Sequence, residues 1–373
     1  MRVLLVSKAM LSATAQKKAD LLAALPEVRL TVVSPPFWRA DDGGVQPLEE
    51  TPRANWELVV TPMRLNGSFH LHNYPSLAAI FRQQRPDLVH IDEEPFNLAT
   101  YQAMRLARRT GAPALFTTWQ NLYRAYPPPF AWMERYNYRH AAYVLVANQD
   151  AVTVLRRKGY QGPVAVFPQF GVDTDLFVPQ PRTPRDRVRI GYVGRVKPEK
   201  GLDVLLRAFA PLAGRAELLI VGRGPAEDEL RQLARALDVA ERVTFAGTLA
   251  SARVAGLMAD LDILALPSRT LPNWTEQFGR VLVEAMACEV AVVGSSAGEI
   301  PNVIGDAGLV FPEGDADALR RCLATLIDNP TLRAELARRG RERAISRYAQ
   351  QRIAEQTYAA WREMLDHQAM PVY

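Results

Sequence analysis

Short runs of aliphatic and β-branched residues alternate with stretches of helical periodicity along the whole chain, and this alternation constrains the fold more than any other feature. Apolar runs separated by helices are typical of parallel strands covered on both faces. We therefore predict an α/β fold with two doubly wound, Rossmann-like parallel sheets. The predicted strands are residues 3–6, 30–33, 88–91, 115–117 and 143–146 in the first half and residues 189–193, 218–221, 243–245, 263–266 and 291–293 in the second.

The length of 373 residues favours two domains with separate cores and a ligand cleft between them. Three prolines and little apolar periodicity in residues 177–187 indicate a linker. We predict an N-terminal domain over residues 1–176 and a C-terminal domain over residues 188–345. A final helix, over about residues 346–373, has an apolar face and should pack on a domain surface.

Composition excludes several classes of protein. Hydrophobic residues make up 48% of the chain, and no apolar run approaches the ~20 residues that cross a bilayer. The two cysteines, Cys288 and Cys322, lack metal-ligand spacing and indicate neither a disulfide framework nor a zinc site. We interpret the apolar stretch at residues 3–6 as the first strand of a cytoplasmic protein, because it is too short for a secretory signal.

The formal net charge of +5 fits ligands that carry phosphate, anionic membrane surfaces or nucleic acid. The basic residues are mostly arginines, and they are scattered over the chain without an RNA-recognition signature or a zinc finger. We therefore predict no nucleic-acid partner.

A glycine-flanked loop follows the first predicted strand of the second half. It runs from Gly194 to Gly201 and leads into a helix. Free backbone N–H groups at the start of that helix, together with the cations of Arg195 and Lys200, suit a diphosphate.

A second glycine loop follows the next strand, where Gly222 and Gly224 would let a nucleotide lie against the backbone. Either loop alone is equally explained as a tight turn with surface charges. Their occurrence in two consecutive strand–helix units favours a ligand site.

Two glutamates in the pattern Glu-x7-Glu flank the start of a helix that is predicted to begin near Gly279. Glu276 precedes the positive end of the helix, whereas Glu284 lies inside it among apolar neighbours. A carboxylate in the loop, such as that of Glu276, can accept hydrogen bonds from sugar hydroxyls beside a diphosphate. A carboxylate inside the helix, such as that of Glu284, can accept hydrogen bonds from ribose hydroxyls. The alternative is a capping glutamate and a solvated one, but the neighbours of Glu284 predict burial and hence a partner.

The two glycine loops and the Glu-x7-Glu pattern, in this order, resemble the retaining family 4 glycosyltransferases of the GT-B fold. The resemblance runs through roughly residues 185–345. It implies two Rossmann-like domains that face an interdomain cleft, with the C-terminal helix crossing back to the first domain. It also implies a nucleotide diphosphate sugar (a UDP-, GDP- or ADP-sugar) as donor substrate, with no cofactor required.

The resemblance implies a role for each residue of the site. Arg195 and Lys200 would contact the donor phosphates, Glu276 the transferred sugar and Glu284 the ribose. The residues expected to act in catalysis are Arg195, Lys200 and Glu276, and those expected to bind the donor are Gly194, Gly222, Gly224, Phe278, Gly279 and Glu284.

The chain departs from the family pattern in three places. Glu289 and Ala291 stand where many members have Gly and Pro. Residues 8–12 replace the glycine-rich loop that is common after the first strand. The histidine that often follows the strand near residues 115–118 is absent, and residues 117–121 read Thr-Thr-Trp-Gln-Asn instead.

The N-terminal half is less specific, as expected if it binds a variable acceptor. Acidic residues follow the predicted strand at residues 88–91, where parallel sheets bind ligands, although a solvated acidic loop is the alternative. His90 lies within that strand and is interpreted as a core residue. Trp119 is equally explained as a core residue. The candidates for the acceptor pocket are Asp92, Glu93, Trp119, Gln120 and Asn121.

Three Asp-x-Asp pairs match the pattern that binds metal in other glycosyltransferases, and we predict that none of them does so here. None follows a strand with further ligands nearby, and two cations already serve the diphosphate. The pairs are Asp173 with Asp175, Asp260 with Asp262, and Asp315 with Asp317.

Residues 123–140 are dense in aromatic and basic residues. Such a segment suits a membrane interface or a lipid-linked acceptor. The alternative is an interior helix with arginine stems on its rim. We predict peripheral contact with the inner face of a membrane through this segment.

The sequence therefore predicts a metal-independent, retaining hexosyltransferase. Its acceptor would be a hydroxyl group of a cell-surface glycan, a glycolipid or a lipid-linked saccharide. Two alternatives remain open. One is another GT-B enzyme, such as a nucleotide-sugar epimerase or a phosphorylase, and the other is a non-catalytic subunit that binds nucleotide sugars, for which the absent histidine is the motivating feature.

Overall fold

The chain divides into two units, each built on its own parallel sheet. The computed structural model describes residues 1–39, 44–49, 51–53, 55–182, 185–249 and 251–369. The first unit comprises Met1–Phe170 and Gln350–Tyr373, and the second comprises Gly171–Ala349. Two Rossmann-like parallel sheets confirm the predicted fold class.

The first unit has a seven-stranded parallel sheet in the order β5-β2-β1-β6-β7-β8-β9 and a separate β3–β4 hairpin. The strands are β1 (Arg2–Val6), β2 (Arg29–Ser34), β3 (Phe37–Arg39), β4 (Val45–Pro47), β5 (Trp56–Val60), β6 (Leu88–Ile91), β7 (Ala114–Thr118), β8 (Tyr143–Val146) and β9 (Val164–Val166). The helices are α1 (Ala13–Ala23), α2 (Leu77–Gln84), α3 (Leu98–Thr110), α4 (Phe130–His140) and α5 (Gln149–Arg157).

The central strands of this sheet are apolar because helices cover both of its faces. Strands β6, β7 and β8 are buried at every position. One face packs on α1, and the other packs on α2 and α3. The strand order reverses at β1 and β6, so the residues that follow these two strands meet at one edge of the sheet.

The second unit has a six-stranded parallel sheet in the order β12-β11-β10-β13-β14-β15. The strands are β10 (Val188–Val193), β11 (Ala216–Val221), β12 (Val243–Gly247), β13 (Ile263–Leu266), β14 (Ala291–Ser295) and β15 (Gly308–Phe311). The helices are α6 (Leu202–Phe209), α7 (Glu227–Ala236), α8 (Ser251–Ala259), α9 (Arg280–Ala287), α10 (Ile300–Ile304), α11 (Ala316–Asp328) and α12 (Pro330–Arg343).

The last helix, α13 (Gln350–Ala369), belongs to the first unit, although the second unit precedes it in the chain. Its side chains Ile353 and Trp361 are fully buried in the same core cluster as α1. Trp361 Nε1 donates a hydrogen bond to His90 Nδ1 over 3.3 Å, and His90 Nε2 lies 3.1 Å from Thr117 Oγ1. His90 is therefore a core residue, as the sequence indicated.

The predicted linker at residues 177–187 is tied to the second unit at both ends. Phe177 is buried, and the Arg185 guanidinium donates to the Asp260 carbonyl oxygen over 2.7 Å. The units divide at Phe170, earlier than the predicted domain end at residue 176. Residues 183 and 184 lie outside the described part of the chain. None of the described helices is both long enough and apolar enough to span a membrane.

Candidate functional site

Two glycine loops interlock at the carboxyl edge of the second sheet. Gly194 N–H donates to the Val221 carbonyl oxygen over 2.9 Å, which ties the end of β10 to the end of β11. A Cβ atom at Gly222 would lie 1.9 Å from the Gly194 carbonyl oxygen, and one at Gly224 would lie 2.1 Å from the Val196 carbonyl oxygen. Only glycine fits at these two positions, because the two loops pack backbone against backbone.

Lys200 is brought to the same edge by a close contact with the loop after β13. It ends a 3-10 turn, Pro198–Lys200, and is followed by Gly201 in the left-handed conformation. A Cβ atom at Gly201 would lie 2.0 Å from the Pro267 carbonyl oxygen. In this position Lys200 Nζ lies 2.6 Å from Glu276 Oε2.

Glu276 is held by both its backbone and its side chain. Ser268 Oγ donates to Glu276 Oε2 over 2.9 Å, and Glu299 N–H donates to the Glu276 carbonyl oxygen over 3.0 Å. The residue is 9% exposed. The structure thus joins Lys200 and Glu276, two residues far apart in the sequence, in one largely buried ion pair.

Arg195 differs from Lys200 in its surroundings. Its side chain is exposed and makes no hydrogen bond or ion pair with any residue that the structure describes. Its backbone is fixed, because the buried Tyr192 hydroxyl donates to the Arg195 carbonyl oxygen over 2.8 Å. The guanidinium is therefore available to an anionic ligand beside the glycine loops.

Glu284 lies inside α9, which begins after Gly279 in the left-handed conformation. The carboxylate is 8% exposed, and Arg280 Nε, one turn earlier, lies 3.0 Å from Glu284 Oε1. Burial raises the pKa of Glu284, and Arg280 offsets part of that effect. The Phe278 side chain is buried, with its ring centroid 5.6 Å from that of Tyr348.

The acidic residues after β6 separate into different environments. Asp92 is half-buried and accepts a hydrogen bond from Ser7 Oγ over 2.7 Å. Glu93 is buried, where it pairs with the Lys8 ammonium and lies 3.4 Å from His72 Nε2. Burial alone would raise the pKa of Glu93, but Lys8 and His72 lower it to about 2. Glu93 is thus enclosed by Lys8 and His72, and its contact with an acceptor stays a prediction.

The three residues after β7 also have different partners. Trp119 stacks on Phe170, with ring centroids 5.2 Å apart. Gln120 Oε1 accepts a hydrogen bond from Lys158 Nζ over 3.1 Å. Asn121 Nδ2 is buried and has no hydrogen-bond partner among the described residues.

Glu94 was not among the predicted site residues, yet it lies against them. It accepts hydrogen bonds from Thr118 Oγ1 over 2.7 Å and from Trp119 N–H over 2.8 Å. Burial raises the pKa of Glu94 to about 7, and these two bonds oppose that effect. The run of acids after a strand was the available signal, but a sequence does not show which of the three carboxylates turns toward residues 117–121.

The Asp-x-Asp pairs serve the local structure. Asp260 accepts a bond from Arg189 Nη1 over 2.6 Å, and Asp262 accepts one from Arg189 N–H over 2.8 Å. Asp315 caps α11 by accepting from Ala318 N–H over 2.8 Å. Within the described ranges, no group of three or more His, Cys, Asp and Glu side chains is placed to hold a metal ion.

Two protein-family models match the chain. The model described as glycosyl transferases group 1 matches residues 173–343, and the one described as glycosyl transferase 4-like domain matches residues 12–170. Among curated proteins, the GDP-mannose-dependent monoacylated alpha-(1-6)-phosphatidylinositol monomannoside mannosyltransferase of Corynebacterium glutamicum is 37% identical over 190 residues, which are 46% of this chain and 49% of that protein. The chain spans about half the length of the curated relatives that it matches.

Solved structures match nearly the whole chain in fold. Sucrose-phosphate synthase from Thermosynechococcus elongatus superposes with a TM-score of 0.75 at 20% identity, over 98% of this chain and 100% of that one. HepE of Anabaena in complex with UDP superposes with a TM-score of 0.73 at 20% identity, over 97% of this chain and 100% of that one.

Proposed function

Because the chain belongs to the group 1 glycosyltransferases of the GT-B fold, we propose that it transfers a hexose from a nucleotide diphosphate sugar to a hydroxyl acceptor. The Lys200–Glu276 pair carries this proposal. It puts a cation suited to a phosphate and a carboxylate suited to sugar hydroxyls 2.6 Å apart, at the edge of the sheet where the two glycine loops pack together.

The donor would lie along the carboxyl edge of the second sheet. Arg195 and Lys200 would stabilise the charge that grows on the diphosphate as the bond to the sugar breaks. Glu276 would accept bonds from the hydroxyls of the transferred sugar. Glu284 would accept bonds from the ribose, where its burial strengthens hydrogen bonding.

Retention is proposed to arise from attack on the same face of the sugar that the leaving group departs from. The departing phosphate oxygen then takes the proton of the acceptor hydroxyl, while Arg195 and Lys200 hold the phosphate charge. This route needs neither an enzymatic base nor a metal ion. It is compatible with the absence of the family's histidine after β7.

The first unit is proposed to bind the acceptor, a glycan, a glycolipid or a lipid-linked saccharide. Asp92, which is half-buried and bonded to Ser7, would orient the acceptor hydroxyl, and Gln120 and Asn121 would contact the acceptor. The relative from Corynebacterium glutamicum is named for a phosphatidylinositol-based acceptor, which favours a lipid-linked one here.

A peripheral membrane contact is proposed for residues 123–140. The α4 helix buries Met133 and Asn137 on one face and presents Trp132, Arg135 and Arg139 on the other. Trp132 is 61% exposed. An exposed indole among arginines matches a lipid–water interface, where the ring enters the headgroup region and the cations meet anionic lipids.

The donor is tested by thermal unfolding with UDP-, GDP- and ADP-sugars, because a ligand that binds the native state raises its stability. We expect transfer to continue in excess EDTA and to keep the anomeric configuration of the donor. The variants Arg195→Ala and Lys200→Ala should each slow turnover by about 100-fold or more. Near-normal turnover by the folded double variant would contradict the phosphate assignment. Conversion of the donor without an acceptor would indicate an epimerase.

A further inference from the structure

The loop that precedes Glu276 is anchored to two neighbouring segments of the second unit. Arg269 N–H donates to the Glu199 carbonyl oxygen over 2.8 Å, and the Arg269 guanidinium pairs with Asp203 at the start of α6. Thr270 N–H donates to Glu313 Oε2 over 2.6 Å. The loop is therefore a fixed part of the site.

The tip of this loop is closed by backbone hydrogen bonds between Leu271 and Trp274, which fix the position of the Trp274 indole ring. Leu271 N–H donates to the Trp274 carbonyl oxygen over 2.7 Å, and Trp274 N–H donates back to the Leu271 carbonyl oxygen over 3.2 Å. Lys200 Nζ lies 4.6 Å from the centroid of the Trp274 ring. The same ammonium lies 2.6 Å from Glu276 Oε2, so Lys200 is held between an aromatic face and a carboxylate.

These two partners act differently on the cation. Glu276 neutralises the charge of Lys200, whereas the quadrupole of an indole face attracts an ammonium without cancelling its charge. The indole face restricts the position of the ammonium, which is otherwise mobile on its four-carbon chain, and leaves its charge free to attract a phosphate. We propose that Trp274 is a positioning residue for the donor: it holds Lys200 in reach of the diphosphate. The inference rests on the proposed function, because it takes Lys200 as a phosphate ligand.

The test is a double-mutant cycle read by calorimetric titration with UDP, GDP and ADP. We expect Trp274→Leu to weaken binding of the preferred diphosphate by about 5- to 30-fold, the range of a partly desolvated cation–π contact. Trp274→Phe, which keeps an aromatic face, should lose less. In a Lys200→Met background, Trp274→Leu should cause no further loss, because the ring would then have no cation to hold.

Controls separate this effect from disturbance of the fold. Tyr101→Leu removes the ring of another cation–π pair, with Arg105 in the first unit, and should leave diphosphate binding unchanged. Binding of uridine, guanosine or adenosine, which have no phosphate, should be equal in the unaltered protein and Trp274→Leu.

Two results would overturn the inference alone: additive losses in the cycle, or weaker nucleoside binding by Trp274→Leu. If the unaltered protein bound none of the three diphosphates, the proposed function would fall together with the inference.

Discussion

Lys200 and Glu276 form an ion pair with each other in the ligand-free structure. Their side chains are 16% and 12% exposed, so water screens the pair only weakly. In the proposed donor complex, the diphosphate competes with Glu276 for Lys200 and releases the carboxylate to the sugar. Binding of the phosphate and orientation of the sugar would then be coupled through one ion pair.

This coupling separates the roles of the two glutamates. Glu276→Gln should bind nucleoside diphosphate as tightly as the unaltered protein or more tightly, because Lys200 loses an anionic competitor, while sugar transfer falls. Glu284→Gln should weaken nucleoside diphosphate binding, because a ribose acceptor loses its charge. Calorimetric titration of both variants checks this, with the exposed Glu342→Gln as control. Equal losses in both variants would refute the division of roles.

The burial of Glu284 has a consequence for stability. The pKa of Glu284 is higher in the folded state than its unfolded value of about 4.3. The protonated form of this carboxyl therefore stabilises the folded state relative to the ionised form. This stabilisation is lost as the pH rises through the raised pKa. Glu284→Gln stays neutral, and we therefore expect it to be more stable than the unaltered protein at pH 7. The difference should shrink to nothing near pH 4. Urea denaturation of both proteins from pH 4 to pH 8 measures it, and a difference independent of pH would count against the explanation.

Individual residues were predictable where the backbone dictates the residue type. Gly222 and Gly224 stood out in the sequence because nothing larger fits at these positions. The enclosure of Glu93 was not predictable, because its partners Lys8 and His72 come from separate parts of the chain that only the fold brings together.

At the scale of secondary structure, the end of α9 contains a strained residue. Glu289 has φ 58°, and its N–H donates to the Met286 carbonyl oxygen over 3.0 Å in the turn that ends the helix. A side chain in the left-handed region costs about 1 kcal/mol, which glycine avoids. This is the position at which the chain departs from the glycine of the family pattern.

We therefore expect Glu289→Gly to raise the free energy of unfolding by about 1 kcal/mol. Glu289→Ala is the matched control, since it removes the same carboxylate but keeps the Cβ atom that causes the strain. Chemical denaturation compares the three proteins. An equal gain in both variants would show that the charge, and not the backbone, sets the cost.

Central elements were predicted more completely than peripheral ones. The strands at residues 88–91, 143–146 and 263–266 have the predicted limits, because burial on both faces leaves runs that are apolar except at His90. Both strands of the β3–β4 hairpin were missed, as were three strands of the main sheets, β5, β9 and β15. All three are at sheet edges and partly exposed, so their sequences carry a weaker apolar signal.

For the molecule as a whole, the proposed membrane contact predicts sedimentation with vesicles of anionic lipid. Joint replacement of Arg124, Trp132, Arg135 and Arg139 by Ala should abolish that binding, because it removes both the exposed indole and the nearby cations.

The control for the membrane experiment replaces exposed arginines outside residues 123–140 and so lowers the net charge by the same amount. Suitable positions are Arg320, Arg338 and Arg352. The control variant should still bind, and its binding should weaken with added salt. Unchanged binding after the fourfold replacement would exclude the segment.

The return of α13 to the first unit sets an order for folding during synthesis. Residues 1–170 leave the ribosome before α13 does, so the core between α1 and the sheet lacks Ile353 and Trp361 until that helix emerges. The second unit is contiguous in sequence, and all of it leaves the ribosome before α13 does. The first unit is thus begun before the second and completed after it, so its core stays incomplete while the second unit is being translated.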